Sequence, residues 1–262
     1  MLKRMVVATS LVSALLLLAQ GSLDASSPAQ GRGRGRGQDQ GQGQDQGRGQ
    51  GRGRGQSAQS KRLSQPDQDR RISEQRQRLT QYAGQLDEQQ RQASQRGAQL
   101  RQQKRTSQFN FQQRYDTRLN TQRLGLRNSN NYNYGRDPYF YSPPTYRYSR
   151  GGRSFETNDR GATALRQAVN YGYEQGYGSG VADRQDRWTF NFQDSYPYQD
   201  ANYGYGGFYI DRDDYNYYFR EGFRRGYDDG YYRRSQYGVR TSGRATVIGS
   251  VVALILGLQH IR

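Results

Sequence analysis

The chain has 262 residues, of which only 32% are hydrophobic and 24% charged, with a formal charge of +17 and a pI near 10.2. So little apolar matter beside so much charge supports one small core and long extended stretches, and excludes a large multi-domain body. With no cysteine and a single histidine, disulfide frameworks, thiol chemistry, Ser–His catalysis and His- or Cys-based metal sites lack their building blocks.

Residues 1–21 read as a secretory signal. Lys3 and Arg4 form the basic start, residues 5–19 the apolar core, and Ala19-Gln20-Gly21 the small residues for cleavage. This predicts export to the periplasm, the cell envelope or the extracellular space. Residues 22–60 mix glycine, arginine and glutamine, bury nothing, and are predicted to form a disordered tether. Its Arg32, Arg34, Arg36, Arg52 and Arg54 each stand between glycines and are candidate polyanion-binding residues. The tract resembles the RGG segments of RNA-binding proteins, a likeness that implies arginine meeting phosphate and stacking on bases.

Over residues 61–127, Ile72, Leu79, Leu86, Ala93 and Leu100 recur every seven positions, which predicts a long polar helix. The companion row, Gln75, Tyr82, Gln89 and Arg96, is half polar, so the expectation is a solvated single helix or a weak coiled coil. Phe109, Phe111, Tyr115 and Leu119 follow at roughly helical spacing and are expected to dock it. Residues 128–160 carry Asp137-Pro138, Ser142-Pro143-Pro144 and Gly151-Gly152, and read as a linker whose tyrosines and arginines suit cation–π contacts.

Residues 161–236 hold the organising pattern. Ala164, Ala168, Gly172, Gly176 and Gly180 place a small residue at every fourth position, with Leu165, Val169, Tyr173, Tyr177 and Val181 one place later. Fifty residues on, Gly222, Gly226 and Gly230 recur beside Phe219, Phe223, Tyr227 and Tyr231. Four residues turn a helix by about 400°, so each row keeps to one slowly drifting face. Glycine there admits a second backbone, while Tyr173, Tyr177, Phe223 and Tyr227 supply buried area. The fold class predicted is mainly α: a small helical hairpin packed through glycine at every fourth residue, preceded by the long polar helix, with extensive disorder. Asp159 and Arg184 mark the ends of the first helix. Asp213 and Asp214 open the second and Arg233 and Arg234 close it, matching the macrodipole. Between the two, Trp188-Thr189-Phe190-Asn191-Phe192 alternates as a short strand would, and residues 185–212 are expected to cap the pair as a long packed loop.

The glycine spacing is similar to the GX3 repeats of some small helical adaptor proteins. In composition and layout the chain also resembles exported bacterial proteins rich in Gln, Arg and Tyr-Gly repeats, a likeness that implies no activity and transfers no functional residue.

Residues 237–262 turn apolar, with Ala245, Gly249, Ala253 and Gly257 again four apart. The expectation is a C-terminal helix, inserted in or associated with a membrane, buried as a third packed helix, or removed as a lipid-anchor signal. Asp211-Arg212-Asp213-Asp214 suits a helix start better than a calcium loop, because Asn216 and Gly222 stand where such a loop needs Gly and Glu. Asp228-Asp229 reads as solvated. These features point to a non-enzymatic structural or interaction protein without cofactor or metal. Its partners would be an acidic polysaccharide, an anionic lipid, another envelope protein or a second copy through the small-residue faces. The alternative is a nucleic-acid or other polyanion binder acting through the Arg-Gly tract.

Overall fold

The computed structural model describes residues 62–127 and 131–261. These belong to the same compact unit and are mainly helical. The expected signal, the tether and its five candidate arginines lie outside the described residues.

Helix α1 (Gln65–Gln102) starts at Ser64, whose hydroxyl accepts from the Asp67 N–H, with Pro66 in the first turn. It ends where Lys104 turns left-handed (φ 57°), and α2 (Thr106–Arg127) folds back along it. The predicted single rod is therefore a helical hairpin. Its seam is not left to solvent or to a second chain: Gln75, Tyr82, Leu86, Gln89, Ala93, Gly97 and Leu100 are all buried inside the molecule. The polar Gln75 survives burial because its side chain serves backbone: it donates to the Gly207 carbonyl and accepts from the Tyr209 N–H. At Gln89 the main-chain carbonyl takes the Tyr196 hydroxyl.

The expected linker is largely folded. It supplies a one-turn helix α3 (Pro138–Tyr141) and a β-hairpin, β1 (Tyr146–Arg150) with β2 (Arg153–Thr157). Gly151 and Gly152, both at positive φ, make the two-residue turn that matches strand twist.

Helices α4 (Asp159–Gln185) and α6 (Arg212–Tyr232) form the centre. A Cβ on Gly172, Gly176 or Gly180 would strike the carbonyl of Phe219, Phe223 or Tyr227. One on Gly222, Gly226 or Gly230 would strike that of Val169, Tyr173 or Tyr177. The partners advance together along both helices, so the pair runs parallel, as two copies related by a local two-fold along their axes. The expected hairpin is corrected on this point. A tight turn can join only antiparallel helices, and here residues 186–211 return along the roughly 40 Å of α4 before α6 begins. That crossover contains the short α5 (Tyr196–Asp200). The segment 188–192 forms no strand: it is irregular backbone leading into a 3₁₀ turn at Phe192–Asp194.

Glycine's second hydrogen takes the place of the missing Cβ and points at the facing carbonyl, a Cα–H···O contact of about 0.5–1 kcal/mol each. Six glycines cost about 6 kcal/mol of helix propensity, which these contacts and the aromatic ladder offset. Along α6, Tyr215, Phe219, Phe223, Tyr227 and Tyr231 stack in sequence with centroids 6.0–6.4 Å apart.

In the C-terminal segment only Gly249–Leu256 is helical, with Val251, Val252, Ile255 and Leu256 packed against the core. The segment forms a second hairpin, β3 (Gly238–Thr241) with β4 (Arg244–Val247), then α7 (Gly249–Leu256) and β5 (Gln259–His260), which pairs with β1. Ser242 and Gly243, at positive φ, make the turn, and Thr246 and Val247 favour strand. The small residues at Gly249 and Gly257 face open space and pack against nothing. Helix α7 has 8 residues, and among the described residues no helix is long and apolar enough to cross a membrane.

Candidate anion-binding groove

Arg114 and Arg118 stand four apart on α2 and therefore share a face. That helix reaches α4 closely because Gly178 has no side chain: a Cβ there would stand 2.6 Å from the Phe111 ring. The turn of the β3–β4 hairpin brings Arg244 to the same place. Together they enclose a groove of about 240 Å³ lined by Phe111, Arg114, Arg118, Gln175, Tyr177 and Arg244, with Glu174 at its side.

Three arginines thus line the groove with one carboxylate, and the Arg118 guanidinium also lies 5.9 Å from the Tyr203 ring centroid. Arg244 approaches Glu174 only to 3.8 Å with its side chain 75% exposed, so its charge is loosely met. Arg114 and Arg118 are exposed and make no ion pair with any described residue. The Arg240 guanidinium lies 5.4 Å from the Tyr177 ring centroid, adding a fourth cation beside the groove. Gln175 is 2% exposed, and its amide makes no hydrogen bond among the described residues, which leaves both a donor and an acceptor on the groove floor.

A larger groove of about 540 Å³, between α1 and the start of α6, is a weaker site. Its Arg78, Arg150 and Arg212 are matched by Glu74, Asp211 and Asp213, and Arg78 already holds Asp211 at 2.9 Å. Balanced charge selects no ligand.

Four buried acids, Asp183, Asp200, Asp214 and Asp229, each accept a tyrosine hydroxyl. Tyr173 donates to Asp229 at 2.8 Å and Tyr227 to Asp183 at 2.6 Å, so each central helix sends a hydroxyl to a carboxylate near the end of the other. Tyr148 bonds Asp214 and Tyr115 bonds Asp200 in the same way. Burial first, and then the adjacent carboxylate, pushes the hydroxyls of Tyr148, Tyr173 and Tyr227 up, so they remain donors. Asp229, expected to be solvated, is wholly buried and also accepts the backbone N–H groups of Gln236 and Tyr237, closing the C-terminal end of α6. Among the described residues no group of three or more His, Cys, Asp or Glu is placed to hold a metal ion.

Asp116, half-buried on α2, is pushed up to about 6 by burial, with Asp200 adding to it. A folded-state value above the unfolded one favours the fold below pH ~4, and that contribution is lost as pH rises through about 6. Asp116→Asn is therefore expected to raise stability at pH 7.5 by about 1 kcal/mol. The roughly two-unit shift is discounted here for the group's partial access to water. At pH 4 the variant should melt with the parent. An equal gain in Tm at both pH values would reject this assignment.

All ten residues expected to pack the helices lie on α4 and α6. The six glycines meet across the pair, and Tyr173, Phe223 and Tyr227 are buried beside them. Tyr177 differs: its carbonyl faces Gly230, but its ring is half-exposed at the groove. Sequence reasoning missed Arg114, Arg118, Gln175 and Arg244 as a group. Only the four-residue step between the first two was visible, because the others arrive from separate elements. Comparison of the chain with protein-family models, with curated proteins and with solved structures finds no match in any of the three.

Proposed function

We propose that the protein is a non-enzymatic, exported interaction protein of the cell envelope that holds an acidic polymer on a basic surface. The observation that carries the reading is where the charge sits. Residues 62–127 contain fourteen Lys and Arg against six Asp and Glu, whereas residues 131–261 contain sixteen against fourteen. Among the described residues the excess is thus concentrated on the α1–α2 hairpin, where most of the basic side chains are exposed. A cationic face on a rigid support favours polyanions by counterion release and long-range attraction. The basic start and apolar run of residues 1–21 support export.

The test is binding of the full-length protein to a polyuronate and to heparin as salt is raised. Affinity is expected to fall at least tenfold between 50 and 200 mM NaCl. No binding to either polymer at 50 mM would overturn the proposal. The second reading, a nucleic-acid binder acting through the Arg-Gly alternation at Arg32–Arg36 and Arg52–Arg54, predicts that deletion of residues 31–55 abolishes RNA binding.

A further inference from the structure

We infer that the groove between α2, α4 and the β3–β4 turn is a subsite for one acidic sugar residue, a uronate, within a polysaccharide chain. This rests on the polyanion-binding reading and names the ligand of that surface. Arg114, Arg118 and Arg244 converge on the groove against Glu174 alone, so it is built for a negative group. A guanidinium binds a carboxylate through two parallel N–H···O bonds, which gives orientation as well as charge.

The other lining distinguishes a sugar acid from a simple anion. The Gln175 amide is 2% exposed and unpartnered among the described residues. Lining the groove without such a partner, that amide is free to hydrogen-bond a polar ligand. Because it offers both a donor and an acceptor, it suits a hydroxyl, which is both; a phosphodiester has no proton for the acceptor side. The Tyr177 ring and Phe111 add apolar surface, which a pyranose can meet through its C–H groups. At about 240 Å³ the groove is smaller than the roughly 300–1,000 Å³ of a drug-sized ligand site. That matches one sugar unit better than a base with its ribose and phosphate. A bilayer surface, being flat, would reach the exposed arginines but not the amide on the floor.

The test uses the full-length protein and four probes: an oligogalacturonate, its fully methyl-esterified form, tripolyphosphate, and a single-stranded oligonucleotide. The oligogalacturonate is expected to bind at least tenfold more tightly than the ester and to be displaced by neither tripolyphosphate nor the oligonucleotide at equal charge. The double variant Arg118→Gln/Arg244→Gln changes only exposed side chains and should weaken oligogalacturonate binding at least tenfold. Gln175→Met, nearly the same size, should weaken it about threefold while leaving tripolyphosphate binding unchanged. A circular-dichroism melt matching the parent establishes that each variant is folded. Equal binding of the ester, equal competition by tripolyphosphate or oligonucleotide, or an unaffected arginine double variant would each overturn the subsite. If salt-dependent polyuronate binding stays at the parent's affinity in that double variant, the subsite fails and the basic surface stands. If no acidic polymer binds at low salt, both fail.

Discussion

Alanine at Gly176 or at Gly226 is expected to lower stability by about 3 kcal/mol or more, a fall in Tm of about 10 °C. The added methyl would stand 2.7 Å from the carbonyl carbon of Phe223 in the first case and 2.8 Å from that of Tyr173 in the second. The obstacle is main chain, so no rotamer change relieves it; the helices must separate, and the neighbouring glycine contacts open with them. The propensity gain of about 1 kcal/mol on leaving glycine works against this and is too small to reverse it. Gly84 supplies the control. It also lies inside a helix, α1, but a Cβ there meets nothing within 4 Å, so Gly84→Ala should stabilise by about 0.5–1 kcal/mol. Thermal melts followed by circular dichroism separate the two cases. If Gly176→Ala melts with or above Gly84→Ala, close approach of α4 and α6 is not what the glycines provide. Leucine at Gly176 or Gly226 should prevent folding altogether.

The period of four was legible because it is a property of single helices: a glycine row and an aromatic row in register define a face without reference to anything else. The direction of the pair was not. Parallel and antiparallel packings bury the same rows, and only the long return through residues 186–211 distinguishes them. Glutamine misled for a different reason. Gln75 reads as a polar seam residue of a solvated helix, yet it bonds the backbone of Gly207 and Tyr209; likewise Gln122 donates to the Asn202 carbonyl and accepts from the Gly204 N–H, and Gln112 donates to the Ala93 carbonyl. An amide side chain can imitate a backbone group in both roles, so a glutamine-rich helix can hold an irregular crossover that has no sheet of its own. The apolar tail misled because hydrophobicity alone does not specify a helix. Its turn residues, Ser242 and Gly243, and the strand-forming Thr246 and Val247 decide for a hairpin. The groove was invisible in the sequence, since it takes its side chains from α2, α4 and β4, elements that only tertiary packing brings together.

Removing one partner of the ion pair between Arg105 and Asp183 is expected to destabilise the protein by about 3–5 kcal/mol, and removing both by much less. Arg105 is 2% exposed and Asp183 is fully buried. The carboxylate also accepts the Tyr227 hydroxyl, and the guanidinium sits 4.4 Å from the Trp188 ring centroid. The pair ties the start of α2 to the end of α4 and to the crossover, so its loss loosens the attachment of the hairpin to the glycine-packed helices. Burial holds the Asp183 carboxyl above the ordinary carboxylate range, with Tyr227 and Arg105 acting in the opposite direction. In Arg105→Met one of those opposing influences is gone, and the acid must either lose its charge or remain buried and unpaired. A folded-state value raised further above the unfolded one means stability present at low pH and lost as pH rises. Arg105→Met should therefore melt closest to the parent near pH 4 and fall progressively further below it toward pH 8. Arg105→Met combined with Asp183→Leu should recover about 2 kcal/mol or more relative to the sum of the single losses, and should lose the added pH dependence. Single losses that simply add, or an Arg105→Met penalty that stays flat from pH 4 to pH 8, would mean that the two charges are not coupled.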